Sequence, residues 1–322
     1  FGEGSFNAAF VPSYSKELIK GKKQSENFAN NIFNLLTIFL LGLVLLIELF
    51  MPFFVSLIAP GFKSNPEKFA LATQLTKITF PFILFVSLAS FFSAILNSHN
   101  RFAAASAAPI ILNIVMIGVL IFGKVLGEKL VIFLSYGVSI AGFIQAIFLI
   151  LFVKKFFKPR FKIKFEISKE IKLFFKKLLP SIFSSGVTQI NILVGTIIAS
   201  FQASAVSILY YADRIYQINL AIAGIAIGTI ILPKLSSYIQ QNKKLEINKI
   251  QNKSLELSLL LSLPAMLALI IANEEIVSSL FGYGSFDKIN VKNSAEALLF
   301  FSLGLPAFSI IKIFSSFIFA RD

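Results

Sequence analysis

The sequence predicts an all-α integral membrane protein, and three observations lead to this fold class: the composition, the long apolar segments and the distribution of positive charge. Hydrophobic residues make up 56% of the 322 residues, and charged residues only 14%. Soluble globular domains carry about 25% charged residues. Backbone groups in lipid must be satisfied within the chain, so the membrane spans are expected to be helices.

Eight apolar segments are long enough to cross a membrane, because about 20 helical residues span roughly 30 Å of hydrocarbon. The predicted spans lie near residues 33–57, 78–97, 103–123, 130–153, 179–201, 206–232, 255–272 and 295–320. The tail of a further span is predicted at 1–13. The chain starts within this pattern, at a Phe and without a signal peptide, so it is expected to be a fragment.

The net charge of +14 follows the predicted topology and does not indicate nucleic-acid binding. Most of the 30 Lys and Arg residues fall in loops on one side of the membrane, in clusters at 16–23, 154–177 and 234–253. The positive-inside rule assigns these loops to the cytoplasm. Two basic residues, Arg214 and Lys312, lie inside predicted spans.

The longest polar break, at 154–178, divides the chain into an N-terminal lobe at 1–153 and a second lobe at 179–322. It alternates Lys with Phe, Ile and Leu. Two interpretations stay open for it, a solvated cytoplasmic loop and a segment lying on an anionic leaflet.

An internal repeat is indicated by two stretches that align without gaps. Residues 10–23, FVPSYSKELIKGKK, match residues 231–244, ILPKLSSYIQQNKK, at Pro, Ser and a Lys pair. The dipeptide Val55-Ser56 recurs as Val277-Ser278. Both long stretches leave the membrane on the predicted cytoplasmic side, so the two lobes are expected to be parallel repeats.

Asp213 and Arg214 lie well inside the span at 206–232. A charge near the bilayer centre costs at least about 2.5 to 3.5 kcal/mol, so such residues usually face a protein interior or a water-filled path. Helical spacing puts Arg214 on one stripe, whose members are Tyr210, Arg214, Gln217, Ala221, Gly224 and Gly228. The glycines either permit close helix packing or leave a cavity unfilled. An Arg exposed to a cavity suits bidentate phosphate binding; the alternative is mutual neutralisation of Asp213 and Arg214.

The chain offers little for catalysis or metal binding. It has no cysteine, and its one histidine, His99, is expected to be a solvated loop residue. No metal-ligand spacing or histidine cluster is present, so the chain is not expected to be an enzyme or to hold a cofactor. A coupling ion stays open, since Thr188, Gln189 and Asn191 could coordinate Na⁺ or satisfy each other.

Several specific stretches follow the order of a known family. They are FGEGSFNAAFVPSYS at 1–15, APGF at 59–62, ITFPFILFVSLAS at 78–90, ILNSHNRF at 95–102, YYADRIYQ at 210–217 and GTIILPKLS at 228–236. These stretches resemble the MurJ/MviN family of lipid II flippases, in the multidrug/oligosaccharidyl-lipid/polysaccharide exporter superfamily. One small departure is Ser5, where the family usually has Ala.

The resemblance implies two six-helix lobes around a central cavity, with two further C-terminal helices. The chain would run from the end of the second span to the tenth, so the fold would be incomplete at both ends. By their place in the motifs, the implied substrate-binding residues are Arg214 on the eighth span, its neighbour Asp213, Glu3 on the second span and Lys312 on the tenth. The basic and acidic first-span residues of the family would lie upstream of Phe1.

The function implied by the resemblance is movement of lipid II, the undecaprenyl-pyrophosphate-linked peptidoglycan precursor, from the inner to the outer face of the bacterial cytoplasmic membrane by alternating access. Lipid II and membrane lipids are the expected partners, and nucleic acid is not. The alternative is export of another lipid-linked oligosaccharide or of drugs with the same fold.

Overall fold

The protein is described by a computed structural model over residues 5–123, 127–161 and 168–320, and these ranges are built from α-helices joined by short turns. By their contacts the residues form two compact units, Phe1–Phe201 and Gln202–Asp322. Among the described residues, six helices are long and apolar enough to span a membrane, and a bent helix pair raises the number to seven. The chain is therefore a multi-pass membrane protein.

The first unit contains eight α-helices within the described ranges, with 3₁₀ turns at Pro60–Ser64 and Gly127–Lys129. The helices are α1 Ser5–Lys20, α2 Lys22–Leu49, α3 Met51–Ile58, α4 Pro66–Thr79, α5 Phe82–Ser98, α6 Phe102–Gly123, α7 Leu130–Val153 and α8 Lys169–Ser200.

Over its described residues, 202–320, the second unit contains six α-helices and one π-helical turn. They are α9 Ala205–Leu220, the π turn Ala221–Ala226, α10 Ile227–Gln240, α11 Lys244–Ile271, α12 Asn273–Phe281, α13 Lys288–Leu303 and α14 Leu305–Phe319.

Proline positions explain where helices break inside predicted spans. The span predicted at 33–57 is wrong as a single helix, because α2 ends at Leu49 and α3 begins just before Pro52. Pro81 caps α5, and the pair α13–α14 bends by 48° next to Pro306. Proline lacks an N–H and its ring clashes with the preceding turn, so a helix tends to restart at it.

The other predicted spans have three outcomes. Those at 103–123 and 130–153 coincide with α6 and α7. The span at 206–232 lies within the longer apolar helix Ala205–Ile239, and the span at 255–272 falls in Lys244–Ile271 except for its last residue. The span at 78–97 is the second part of a longer apolar stretch, Pro66–Ser98. In the span at 179–201, the described apolar part is the shorter segment Gln189–Ser200, so this span stays a prediction.

A cluster of aromatic rings forms the core of the first unit. The ring of Phe10 lies 5.2 Å from the rings of both Phe6 and Phe91, measured between centroids. Phe174 packs edge-on against Phe6 at 5.9 Å and against Phe28 at 6.3 Å. These rings come from α1, α2, α5 and α8, so the start of α8 belongs to this core.

The basic break at 154–178 is therefore more than a solvated loop. Its last part is the first turns of α8, where Ile171, Phe174 and Leu178 are buried at helical spacing. Lys20 at the end of α1 lies 2.7 Å from the Glu17 carboxylate and 3.7 Å from that of Glu170. This packing groups α8 with the first unit by contacts, whereas the sequence placed residues from 179 onward in the second lobe. The division into lobes stays a prediction.

The helix bounds agree with the predicted repeat. Helices α2 and α11 each contain 28 residues and begin 222 positions apart, at Lys22 and Lys244. Asn65 caps α4 by accepting from the Lys68 backbone N–H, and Asp287, 222 positions later, caps α13 in the same way. The two helices run past the predicted span ends at 13 and 232, to Lys20 and Gln240.

Candidate functional site

Arg214 lies on the exposed face of α9, together with Tyr210 and Gln217. Its guanidinium carbon lies 4.5 Å from the centroid of the Tyr210 ring, which is one helical turn earlier. Within the described residues, no carboxylate lies within 4.0 Å of the Arg214 side chain. The guanidinium therefore keeps its hydrogen-bonding fork available for an anion.

Asp213 has a different partner. Its Oδ2 accepts a hydrogen bond of 2.5 Å from the Gln217 side-chain amide, one turn later on the same helix. Adjacent residues of a helix point about 100° apart, which explains why Asp213 and Arg214 do not pair. The alternative of mutual neutralisation has no support in the geometry of these two side chains.

The stripe predicted along this helix is wrong in its second half. Tyr210, Arg214 and Gln217 are exposed, but Gly224 and Gly228 are buried. A Cβ built on Gly224 would lie 3.0 Å from the Ser309 Cα of α14, and one on Gly228 would lie 2.7 Å from the Ser316 hydroxyl. The glycines thus permit close helix packing and do not line an unfilled cavity.

The π turn Ala221–Ala226 is the physical reason for this difference. A π turn accommodates one extra residue, and one residue corresponds to about 100° around a helix. A regular helix would put Gly224 and Gly228 within about 20° of Gln217. The exposed face that includes Gln217 instead continues through Ala221 to Ile225 and Thr229, one residue later.

Lys312 and Glu3 complete the predicted set. Lys312 lies on α14 with an exposed side chain, and its backbone carbonyl lies 3.3 Å from a Cβ built on Gly228. The helix of Lys312 therefore packs directly against the helix that continues from Arg214. Glu3 lies outside the described residues.

The candidates for a coupling ion lie on α8. The side chains of Gln189 and Asn191 are exposed, and that of Thr188 lies outside the described side chains. Among the described residues, no group of three His, Cys, Asp or Glu side chains is arranged to hold a metal ion. The role of these residues stays a prediction.

The sequence misjudged His99, which is packed and not solvated. Its Nε2 lies 3.2 Å from the hydroxyl of the buried Tyr14, and its ring stacks on Phe156 with centroids 4.3 Å apart. Burial lowers the pKa of His99 and raises the pKa of Tyr14 to about 12. The three residues come from α1, the end of α5 and the segment after α7, so only the tertiary structure brings them together.

Comparison with known proteins identifies the family. A family model described as "Lipid II flippase MurJ" matches residues 1–322. The chain belongs to the MurJ family. The MurJ-type relatives named "Probable lipid II flippase MurJ" include proteins of Rickettsia prowazekii (strain Madrid E) and Rhizobium meliloti (strain 1021), each 39% identical to this chain.

These MurJ relatives are longer than the chain. The alignments cover 100% of this chain but 63% of the Rickettsia protein and 61% of the Rhizobium protein. The chain thus spans about three fifths of the length of the curated relatives that it matches.

Solved structures agree with the predicted fold class. "Lipid II flippase MurJ, inward closed conformation" has a TM-score of 0.84 and 28% identity, over 100% of this chain and 66% of that one. A multidrug resistance MATE family transporter of the MOP superfamily, in an inward-facing conformation, has a TM-score of 0.73 over 99% of this chain and 75% of that one. At 16% identity the second likeness shows the fold alone. The all-α exporter-superfamily fold is confirmed, as is a multi-pass protein of the bacterial inner membrane.

Proposed function

We propose that the protein moves lipid II from the inner to the outer leaflet of the cytoplasmic membrane, by alternating access. Membership of the MurJ family supports this substrate. The observation that carries the proposal is Arg214, a permanent cation on a membrane-length helix with an exposed guanidinium and, among the described residues, no carboxylate within 4.0 Å of it.

The chemistry of the substrate explains why such a cation is useful. A pyrophosphate cannot enter hydrocarbon without losing its hydration, at a large free-energy cost. A planar guanidinium replaces part of that hydration with two parallel, charge-assisted hydrogen bonds. The polyprenyl tail of the substrate stays in the lipid during this step.

The other predicted residues take supporting roles in this proposal. Asp213 holds the Gln217 amide and leaves Arg214 free to bind the pyrophosphate. Lys312 adds a second positive charge, and Glu3 contributes on the first lobe. Translocation needs no bond to be made or broken, so we infer transport without catalysis and without a cofactor. A coupling ion is left open.

Substitutions at Arg214 in the full-length protein test this proposal. The host is a strain depleted of its own lipid II flippase, and the readouts are growth and the fraction of lipid II reached by a reagent added outside the cells. Arg214→Ala should abolish both. Arg214→Lys should be nearly as harmful, because an ammonium keeps the charge but loses the bidentate fork. Asp213→Asn should be milder.

The control is Lys249→Ala, which removes an exposed basic residue from the predicted cytoplasmic cluster of α11 and should leave both readouts unchanged. Membrane insertion of every variant is checked by its abundance in the membrane fraction. Normal growth and normal lipid II exposure with Arg214→Ala would refute the phosphate-binding role. Covalently altered lipid II in the presence of the wild-type protein would indicate an enzyme.

A further inference from the structure

The π turn Ala221–Ala226 receives a hydrogen bond from outside its own helix. The hydroxyl of Ser258, on α11, donates to the backbone carbonyl of Ala223 at 2.8 Å. A π turn interrupts the regular hydrogen-bond ladder of an α-helix. Ser258 supplies a partner for a carbonyl within the interrupted region.

This contact differs from those of the neighbouring buried serines. Ser254, Ser302 and Ser309 each donate to the carbonyl four residues earlier in their own helix. A hydrogen bond to this carbonyl is the usual one for a serine hydroxyl in a membrane helix. Ser258 is fully buried and bonds across to another helix.

The opposite side of the turn is held by packing. Gly224 lies within the turn and Gly228 just after it, and both pack closely against α14. The start of α10 is therefore fixed in rotation. The direction in which α9 presents Arg214 then depends on how many residues the turn accommodates.

We propose that Ser258 is a positioning residue for Arg214. Its hydrogen bond stabilises the π turn, and the extra residue in that turn rotates Arg214 away from the packed glycine face and onto the exposed face. With a regular α-helix throughout, Gln217 would point along the face of Gly224 and Gly228, against α14, and Arg214 would lie only about 60° from that face. The role of this rotation in transport rests on the phosphate-binding role proposed above for Arg214.

Spin labelling of the full-length protein tests the rotation directly. Nitroxide labels are placed by Gln217→Cys, before the turn, and by Thr229→Cys, after it; both residues are exposed. Accessibility of each label is measured by electron paramagnetic resonance, with oxygen as a probe of lipid exposure and a water-soluble nickel chelate as a probe of water exposure. The two probes together report exposure to either solvent.

At residue 217, Ser258→Ala should lower the total accessibility of the label, that is, its accessibility to oxygen and to the nickel chelate taken together. At residue 229 the accessibility of the label should stay unchanged. A hydrogen bond of this kind is worth a factor of about 2 to 10 in the balance between the two helix forms. The matched control is Ser262→Ala, one turn further along α11. Ser262 is also fully buried, but its hydroxyl has no hydrogen-bond partner within the described residues. This control should leave both labels as they are.

Transport by the two variants separates this inference from the proposed function. In Ser258→Ala, lowered accessibility of the label at 217 together with impaired lipid II exposure supports both the positioning by Ser258 and the phosphate-binding role of Arg214. Lowered accessibility with normal transport supports the positioning by Ser258 and contradicts the role of Arg214. An unchanged label at 217 in Ser258→Ala, or the same change in Ser262→Ala, overturns the inference whatever the transport result.

Discussion

The aromatic ring of Tyr210 lies under the guanidinium of Arg214, 4.5 Å from the guanidinium carbon. The two residues are four positions apart, so they share one face of α9. A cation held over a ring keeps its charge, whereas a cation beside a carboxylate is neutralised. Tyr210 therefore holds the Arg214 side chain in place without competing with an anionic ligand for the charge.

Replacing Tyr210 should weaken transport through the orientation of Arg214. Tyr210→Leu removes the ring, and a cation–π contact is worth about 0.5 to 2 kcal/mol, so lipid II flipping should fall roughly 2- to 30-fold. Tyr210→Phe keeps the ring and should retain most activity. The measurement is lipid II exposure in the depleted strain. A harmless Tyr210→Leu would show that the ring does not hold Arg214 in its working position.

The basic loops should be inaccessible from outside the cell. The chain has no cysteine, so a single introduced cysteine is a unique label within it. Ser168 caps α8 through its hydroxyl, so Lys169→Cys is the less disturbing probe of the loop at 154–177. A membrane-impermeant maleimide added to intact cells should miss this cysteine and should label Ser285→Cys in the opposite loop. The reverse pattern would overturn the positive-inside assignment.

The packing of His99 should make stability depend on pH. Burial lowers the pKa of His99 in the folded protein below its value in the unfolded chain, which is about 6.5. The unfolded chain therefore binds more protons in this range, and stability should fall as pH drops below about 6.5. The measurement is the thermal unfolding midpoint of purified protein at pH 7.5 and at pH 5.0.

His99→Gln is the matched variant, because glutamine keeps a polar partner for Tyr14 and does not titrate. The loss of stability between the two pH values should be smaller in the variant than in the wild type. Equal losses in the two proteins would show that His99 does not contribute. The comparison between variants cancels the contribution of the carboxylates, which titrate in both.

Gly61 should be intolerant of any side chain. A Cβ at this position would lie 2.3 Å from the Ser200 carbonyl oxygen and 2.5 Å from the Phe201 Cα, and both are backbone atoms. The Gly61 N–H also donates to the Ser200 hydroxyl at 3.0 Å. Gly61→Ala should therefore displace the end of α8 and lower the unfolding temperature.

Gly42 provides the control, since a Cβ there would meet nothing within 4 Å. It lies inside α2, where alanine is favoured over glycine by about 0.5 to 1 kcal/mol. Gly42→Ala should leave the unfolding temperature unchanged or raise it slightly. A stable Gly61→Ala protein would contradict the close approach of the two segments.

Much of the fold was predictable, because a bilayer imposes simple requirements on a sequence. Apolar length and the absence of unpaired backbone groups in lipid identify helical spans such as α6 and α7 directly. Helix breaks are harder to predict from prolines. Pro109 and Pro264 are accommodated inside α6 and α11. At Pro52 and Pro81, in contrast, a new helix begins. Neighbouring helices decide between these outcomes, and the local sequence does not record them.

The candidate site, like the fold, was predictable from the sequence only in part. Arg214 and Asp213 stand out in the sequence because charges inside an apolar span are costly. Their partners Tyr210 and Gln217 follow from helical spacing, since residues four apart are neighbours. Ser258 could not be found in this way: it lies 35 positions after Ala223, and a serine on a membrane helix gives no local signal of the helix to which it bonds.

The sequence by itself determined the class of the protein, and it predicted the membrane topology, an internal repeat and a cation, Arg214, inside a span. The tertiary structure decided which way that cation points. Helical spacing assumes 3.6 residues in every turn, and the π turn Ala221–Ala226 departs from this assumption by one residue. Such a turn is stabilised by contacts from other helices, here Ser258 of α11 and the close packing of α14 on Gly224, so it exists only once the chain has folded.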